Sequence, residues 1–260
     1  MMKLNWRRDL VYDPALPESC RMEICEPEGI SRPPLLVYFH GGGLEGGNYH
    51  MPAYLEYLCA EHGIACASAE YRMYPSARFP DFVEDAARAV SWLLNEWHAR
   101  DRYSRVFVGG SSAGGYLSQM LCFAEEYLLK AGTDPSLIDG YVFNAGQPTT
   151  HYNVLREQGM DTRCVRVDQA APLWHITRSF RDRRTVPLLI IAADNDMVNR
   201  LEQNRMLHAA LLHFDYPPEK IVFRLMEGFR HCAYNGWQDA QGRYLFADIM
   251  ADFILRSTQA

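Results

Sequence analysis

The sequence predicts an α/β protein with a mostly parallel central sheet and helices on both faces. Short, continuously apolar runs rich in β-branched and aromatic residues alternate with longer stretches of helical period. Strands that are apolar on both faces need cover on both sides, and a parallel sheet between two helical layers provides it. A chain of 260 residues is long enough for one large domain of this kind, so we expect residues 1–260 to form a single domain.

The apolar runs and the helical stretches follow one another in order along the chain. Six runs are expected to form strands, at residues 35–39, 64–69, 105–109, 140–144, 187–192 and 221–225. Apolar residues that recur every three or four positions predict helices at 51–61, 81–98, 112–130, 199–213 and 243–256.

Two segments lie outside this alternation. Residues 22–25 are expected to form an antiparallel strand at the edge of the sheet. Residues 147–185 separate two strands and hold many Arg, His and Asp residues but few long apolar runs. Because connections of that length in compact domains usually have a function of their own, we expect a lid-like insertion there.

Charge and composition exclude several classes of protein. A formal net charge of −6 gives no basic surface for nucleic acid. We expect neither a signal peptide, which needs an apolar stretch of roughly 7–15 residues, nor a membrane span, which needs roughly 18. The seven cysteines are odd in number and lack CxxC spacing, which favours free thiols over disulfides or a zinc site. A cytoplasmic location is expected, and secretion with the signal removed is the alternative.

The strongest motif lies between a predicted strand and a predicted helix, where Gly110, Ser112 and Gly114 match G-x-S-x-G. A sharp strand-to-helix turn strains the backbone of its central residue and lifts that side chain above the sheet. Ser112 would then lie at a helix N-terminus, which favours developing negative charge. The alternatives are a plain turn and a phosphate loop, which would need a following Lys. Ser111 lacks the glycine spacing on its C-terminal side.

A glycine-rich loop that begins at His40 follows the strand at 35–39. Acyl transfer needs hydrogen-bond donors fixed where the oxyanion forms, and backbone N–H groups of such a loop supply them. We assign this role to the N–H groups of Gly42 and Gly43, together with that of Ala113 directly after the nucleophile. His40 is expected to shape the loop. A flexible turn that merely joins strand to helix is the alternative.

A serine nucleophile needs a base, and the base needs a carboxylate that orients it. Behind this type of turn the acid comes next along the chain and the histidine last. Asp196 follows the strand at 187–192 and is our choice of acid, with Asp194 second. His231 follows the final strand and is our choice of base.

The other downstream histidines are expected to have different places. His208 and His213 fall within a predicted helix, as surface or core residues. His151 and His175 lie in the insertion, where either could touch a substrate, although a plain surface role is the first expectation for each.

Together these residues resemble the hormone-sensitive-lipase-like branch of the α/β-hydrolase esterases, a group that includes small feruloyl and acetyl-xylan esterases and kynurenine formamidases. The resemblance covers about residues 35–255 and rests on the nucleophile turn, Asp196, His231 and the segments 40–43, 71–75, 79–80, 84–86 and 92–93. It implies the α/β-hydrolase fold and a triad of Ser112, Asp196 and His231. It also implies the oxyanion donors Gly42, Gly43 and Ala113, and neither a metal nor an organic cofactor.

The sequence departs from that family in two places. The position of Ser111 usually holds Asp, and only about 39 residues precede His40, so no large N-terminal cap is expected. The active site would be covered by residues 147–185. Within this segment, the sequence at 171–175 is similar to that of the smaller esterases and formamidases. We therefore expect an open site for acyl groups on small-molecule or saccharide-linked partners.

The expected function is hydrolysis of short-chain acyl or aromatic esters of the acetyl or feruloyl type. A formamidase-like amide hydrolase and a non-catalytic binding protein on the same fold are the alternatives. Four aromatic residues could line an acyl pocket or simply pack in the core: Tyr74, Phe79, Trp174 and Phe229. A homodimer formed through edge elements is left open.

Overall fold

The computed structural model describes residues 1–181 and 184–259, and an eight-stranded sheet runs through it. The strands are β1 (Leu4–Val11), β2 (Arg21–Pro27), β3 (Leu35–Phe39), β4 (Ala65–Ala69), β5 (Val106–Ser111), β6 (Gly140–Asn144), β7 (Leu188–Asn195) and β8 (Ile221–Arg230). The helices are α1 (Ala53–His62), α2 (Asp81–Asn95), α3 (Ala99–Arg102), α4 (Ala113–Phe123), α5 (Glu126–Lys130), α6 (Tyr152–Glu157), α7 (Arg200–His213) and α8 (Leu245–Gln259).

The strand order in the sheet is β1-β2-β4-β3-β5-β6-β7-β8. β2 is antiparallel to both of its neighbours, β1 and β4, whereas every pair from β4 through β3 to β8 is parallel. This arrangement confirms the predicted mostly parallel sheet, and all six predicted strands are present. The carboxyl ends of β5, β6 and β7 therefore meet at one edge of the sheet, as ligand sites of such folds require.

Alternate residues of the strands face two different hydrophobic layers. Val37 packs in the layer that holds residues of α2, α4 and α7, and Leu36 packs in the layer under α1 and α8. Because successive side chains of a strand point to opposite faces, a continuous apolar run such as 35–39 needs helices on both sides. This explains why the core strands lack polar alternation.

The N-terminal part of the sheet differs from the prediction. β2 contains residues 22–25 and is antiparallel as predicted, but it is not an edge strand, because β1 pairs with its outer side. β1 lies at the edge and carries four polar or charged residues in its eight positions. The mixture of polar and apolar residues in β1 does not predict a strand. An edge strand can leave most of its side chains in solvent, so it needs no apolar run.

Three element boundaries also differ from the prediction. The expected helix at 112–130 is two helices, because Ala124 between α4 and α5 leaves the helical region with φ −101° and ψ 65°. α2 ends at Asn95 and not at 98, where His98 has φ +52°. β8 continues past 225 to Arg230, which pairs with Asn195 of β7, so that His231 directly follows a paired strand.

The insertion at 147–185 is docked on the body of the protein, apart from residues 182–183, which lie outside the described residues. It contains α6 and a short 3-10 helix, Pro172–His175, and its apolar residues Val154, Ala170 and Ile176 join the core. Over the residues described, no helix has both the length and the apolar character needed to cross a membrane.

Candidate active site

Ser112 lies between the end of β5 and the start of α4, in a strained backbone conformation with φ +55° and ψ −110°. A non-glycine residue adopts positive φ only where the surroundings hold it there. Both flanking glycines are required sterically, since a Cβ on Gly114 would overlap the carbonyl oxygen of Phe39 and one on Gly110 would overlap the backbone of Gly114. The strand-to-helix turn has the geometry that the motif predicts.

The three residues predicted to form a triad lie in one hydrogen-bonded line. Nε2 of His231 is 2.8 Å from Oγ of Ser112, and Nδ1 of His231 is 2.5 Å from Oδ1 of Asp196. The Asp196 side chain is 1% exposed, and its Oδ1 also accepts the N–H of Met197 at 2.7 Å. With Nδ1 protonated toward the carboxylate, Nε2 is free to accept the serine proton.

Asp194, the second choice for the acid, lies elsewhere. Its Oδ1 accepts the N–H of Gly228 at 2.8 Å and the side-chain amide of Asn195 at 3.0 Å, and the residue is exposed. It bridges β7 and β8 where their register shifts. The structure thus brings Asp196, and not Asp194, to His231.

The glycine loop after β3 passes directly beside the nucleophile. A Cβ on Gly41 would lie 3.3 Å from Cβ of Ser112, and the next two residues, Gly42 and Gly43, have φ +117° and +69°. Within residues 1–181 and 184–259, the N–H groups of Gly42, Gly43 and Ala113 donate no hydrogen bond to protein. These three amides are available to an anion at this site.

His40 shapes this loop, as expected, and stands apart from the triad. Its Nε2 is 2.6 Å from Oε1 of Glu70, its Nδ1 is 2.6 Å from the carbonyl oxygen of Gly41, and its ring stacks on Tyr71 at 4.5 Å between centroids. The imidazole therefore fixes where the glycine loop begins.

The start of the insertion holds the same loop from the other side. Nδ2 of the buried Asn153 donates to the carbonyl oxygen of Gly43 at 3.0 Å. His151 precedes α6, and its Nδ1 accepts the N–H of Asn153 at 3.2 Å, which caps the helix. The first expectation for His151, a surface role, was wrong, because the residue is fully buried, and burial lowers its pKa well below the usual value.

The remaining histidines of the prediction make no hydrogen bond to the triad residues in the described part of the chain. His208 and His213 are in α7, as predicted. His175 closes the short 3-10 helix of the insertion, where its Nε2 is 3.0 Å from the carbonyl oxygen of Gln169.

A buried polar network that the sequence does not predict lies beneath the nucleophile. Oγ of Ser111 bonds the hydroxyl of Tyr38 and accepts hydrogen bonds from Nδ2 of Asn144 at 2.5 Å and from Nδ2 of Asn235 at 2.9 Å. Tyr234 donates to Oδ1 of Asn144 at 2.5 Å. The loop after His231 is thus tied to β3, β5 and β6. One sign of this network is present in the sequence: Ser111 stands where the family that the sequence resembles usually carries Asp.

Arg200 is a second feature missing from the prediction. It is 3% exposed, and it donates to the carbonyl oxygen of Ala145 at 2.7 Å and to Oε1 of Gln147 at 3.1 Å. No ion pair among the described residues includes it. Burial lowers the pKa of Arg200, and the charge of Asp196 opposes that shift. A buried cation therefore lies near the carboxylate that orients His231.

The four aromatic candidates occupy different places. Phe229 packs edge-to-face on Tyr234 with centroids 5.8 Å apart, and the guanidinium of Arg156 lies over the ring of Tyr74. Trp174 is 52% exposed and lines, with Phe79, a cavity of about 360 Å³. An aromatic acyl pocket stays a prediction.

No group of three His, Cys, Asp or Glu side chains in the described part of the chain could hold a metal ion.

A family model described as the alpha/beta hydrolase fold matches residues 36–217, well over half of the chain. The chain belongs to this family. The predicted α/β-hydrolase fold is therefore confirmed, with the nucleophile turn and the loop of Gly42 and Gly43 inside the matched range.

Curated relatives of this α/β-hydrolase include proteins with ester-cleaving names. The carboxylic ester hydrolase LipN of Mycobacterium tuberculosis is 40% identical over 37% of this chain and 26% of its own length. Probable carboxylesterase 6 of Arabidopsis thaliana is 35% identical over 35% of this chain and 30% of its own. Tuliposide A-converting enzyme 2 of Tulipa gesneriana is 26% identical over 79% of this chain and 59% of its own. The chain thus spans about a quarter to three fifths of these relatives.

Solved structures of esterases share the fold of this α/β-hydrolase along its whole length. Esterase B of Lactobacillus rhamnosis has a TM-score of 0.75 and 17% identity, over 98% of this chain and 87% of that one. A truncated carbohydrate esterase from gut microbiota has a TM-score of 0.76 and 19% identity, over 98% and 97%. At this level of identity the likeness shows the fold alone.

Proposed function

We propose that this α/β-hydrolase is a serine carboxylic-ester hydrolase. The observation that carries the proposal is the line from Ser112 through His231 to Asp196, with separations of 2.8 and 2.5 Å, beside the free N–H groups of Gly42 and Gly43. A nucleophile, an oriented base and preorganised donors within one small site are what acyl transfer requires. The local identity to LipN and to carboxylesterase 6 supports an ester as substrate.

The acylation step begins when Nε2 of His231 removes the proton of Ser112 as Oγ attacks the ester carbonyl carbon. The carbonyl π electrons move to oxygen, which becomes an oxyanion bonded by the N–H groups of Gly42, Gly43 and Ala113. Collapse of this tetrahedral species breaks the bond to the alcohol oxygen, which takes the proton from His231. An acyl-serine and a free alcohol result.

The deacylation step repeats this sequence with water as the nucleophile. Nε2 of His231 takes a proton from the water, whose oxygen attacks the acyl carbon, and the oxyanion forms again at the same donors. When the bond to Oγ breaks, the proton returns to Ser112 and the carboxylic acid leaves. The buried carboxylate of Asp196 stabilises the imidazolium in both halves of the reaction.

We propose short-chain acyl or aromatic esters of the acetyl or feruloyl type as substrates, on small-molecule or saccharide partners. In support, the helix with which the insertion begins is short, since α6 has six residues, and Trp174 beyond it is half exposed. A shallow cover of this kind leaves room for a bulky alcohol group, whereas a long lipid chain needs an extended apolar tunnel.

The second candidate is an amide hydrolase of the formamidase type, which would use the same triad. The free amides of Gly42 and Gly43 are compatible with it, because they would bind an amide-derived oxyanion as well as an ester-derived one. Turnover of p-nitrophenyl acetate against N-formylkynurenine separates the two. A folded protein that cleaves neither these nor a broad panel of esters would support a binding protein on the same fold.

The proposed function is tested by steady-state hydrolysis of p-nitrophenyl acetate with the wild type, Ser112→Ala and a matched control, Ser257→Ala. Ser257 lies in α8, where its Oγ donates to the carbonyl oxygen of Phe253. We expect Ser112→Ala to lose activity by a factor of roughly a million, as triad nucleophiles do when removed, and Ser257→Ala to keep it. Equal activity of all three proteins would overturn the proposal.

Two further proposals concern the setting of this site. We propose that the chain works as one domain, with 147–185 as an insertion that covers the triad. We also propose a reducing compartment such as the cytoplasm, because all seven cysteines are free thiols and four of them are buried. A homodimer stays a prediction.

A further inference from the structure

Tyr152, the first residue of α6, places its hydroxyl group against the glycine loop. A Cβ built on Gly43 would overlap Oη of Tyr152 and lie 3.0 Å from its Cζ. The phenol therefore fills the space beside Cα of Gly43 that any other residue type would occupy. The amide nitrogen of Gly43, one covalent bond away from that Cα, is one of the three free donors at the site.

The ring of Tyr152 and the helix turn that carries it are both held in place. The ring of Tyr152 packs on the ring of His151, with centroids 4.5 Å apart. Its neighbour Asn153 is held by its hydrogen bond to the carbonyl oxygen of Gly43, and Val154 and Leu155 are buried in the core. Groups held in this way need no reorganisation when charge develops beside them.

The hydroxyl has a proton to donate and no acceptor in the described part of the protein. The side-chain hydrogen bonds found there include Tyr152 only through its backbone N–H, which donates to Oε1 of Gln147 at 3.4 Å, and the residue is only partly exposed. Burial, and to a lesser degree the carboxylate of Glu45, raise the pKa of Tyr152, so the phenol stays protonated at neutral pH. Glu45 itself is engaged by Arg156.

We infer that Tyr152 is a fourth donor of the oxyanion hole, whose O–H bonds the anionic oxygen of the tetrahedral species beside the N–H of Gly43. The inference rests on the proposed function, because this anion forms only if Ser112 attacks a carbonyl group. It assigns a catalytic role to a side chain of the insertion, which then completes the site as well as covering it.

Such a donor acts on kcat more than on KM. The negative charge that it binds is fully developed only in the transition state and the tetrahedral species, and the neutral carbonyl of the bound ester accepts a weaker hydrogen bond. A single oxyanion donor contributes roughly 100- to 1000-fold to kcat. Because Tyr152 would share the anion with three backbone donors, we expect its contribution to be about 10- to 100-fold.

The test replaces only the hydroxyl group, with Tyr152→Phe, and measures kcat and KM for p-nitrophenyl acetate. The matched control is Tyr127→Phe in α5, a partly buried tyrosine outside the site. We expect kcat of Tyr152→Phe to fall about 10- to 100-fold with KM changed by less than about threefold. Tyr127→Phe should keep the kcat of the wild type.

A second measurement compares each variant with itself and so is independent of the folded fraction. The ratio of kcat/KM for an oxoester to that for the matching thionoester reports hydrogen bonds to the reacting atom, because sulfur is the weaker acceptor. Loss of a donor should lower this ratio in Tyr152→Phe and leave it unchanged in Tyr127→Phe.

An unchanged kcat and an unchanged ratio in Tyr152→Phe would overturn the inference. That result differs from failure of the proposed function, in which the wild type itself would hydrolyse neither ester. A rise in KM alone, with the ratio unchanged, would also overturn it and would leave Tyr152 as a residue that binds the ground state.

Discussion

The guanidinium of Arg200 donates a 2.7 Å hydrogen bond to the carbonyl oxygen of Ala145, directly after the strand that neighbours the nucleophile. Ala145 has φ +51°, a conformation that a non-glycine residue keeps only when its surroundings hold it. The next residue is held too, since Nδ2 of Asn204 donates to the carbonyl oxygen of Gly146 at 2.9 Å. The first turns of α7 thus brace the strained turn beside Ser112.

Arg200→Met should lower the free energy of unfolding by about 2 kcal/mol, because two buried acceptors lose a charged donor while the cost of burying the charge disappears. Urea unfolding measures it, with Arg205→Met as the control, since Arg205 is exposed on the same helix. If the two variants were equally stable, the bracing role of Arg200 would be wrong.

Ser111→Asp should be tolerated and should move the acid limb of the kcat/KM profile to higher pH. Three hydroxyl or amide groups already surround Oγ of Ser111 and can donate to a carboxylate. The new negative charge would stabilise the imidazolium form of the base. A pH–rate profile with an unmoved acid limb would contradict this.

Ser111→Ala, in contrast, should lower the free energy of unfolding by about 1–3 kcal/mol, because it leaves the buried amides of Asn144 and Asn235 without their shared acceptor. Urea unfolding of this variant and of Ser111→Asp gives the comparison. If Ser111→Ala were more stable than Ser111→Asp, the buried polar network would not need a hydrogen-bond acceptor at position 111.

His151 should make the protein sensitive to mild acid. Its pKa is lowered in the folded state by burial first and by Arg200 second, whereas the unfolded chain takes up the proton near the ordinary value of 6.5. The unfolded state therefore binds more protons below about pH 6.5, and stability falls as the pH falls.

The variant His151→Asn keeps an acceptor for the helix cap and removes this titration. Between pH 7.5 and pH 5.5 the wild type should lose about 1.4 kcal/mol more stability than the variant, as one proton linked to unfolding requires. Urea titrations at the two pH values measure this difference. Equal losses in the two proteins would mean that His151 is protonated in the folded state.

Gly42→Ala should abolish activity, because at φ +117° the new Cβ would overlap the carbonyl oxygen of Gly46 and the loop must shift. Gly132 offers a matched control, with φ +84° and nothing within 4 Å of an added Cβ. Gly132→Ala should cost only about 1–2 kcal/mol of stability and keep the kcat of the wild type. Equal kcat in both variants would show that Gly42 is not needed in the oxyanion hole.

The sequence predicts the parallel core of the sheet because its strands are buried on both faces and so lack polar residues. It does not predict β1, since an edge strand leaves its charged side chains in solvent and reads as a loop. The break at Ala124 is equally hidden, because the residues on both sides of it keep a helical period.

The candidate site divides in the same way. Ser112, Asp196 and His231 could be chosen because each follows a predicted strand at the same edge of the sheet. Arg200, Tyr152 and the partners of Ser111 could not, because their places depend on contacts between segments distant in sequence. Arg200 and Asn235 resemble ordinary surface residues until the chain folds around them.

The most direct test of the central claim is stoichiometric labelling by a fluorophosphonate, followed by peptide mapping of the adduct. Phosphonylation needs a serine activated by its base and stabilised by oxyanion donors, and so it reports the triad whatever the natural ester is. We expect one adduct per chain, on Ser112, absent from Ser112→Ala and slowed strongly in His231→Ala. An adduct on another residue, or equal labelling of Ser112→Ala, would contradict the assignment of Ser112 as the nucleophile.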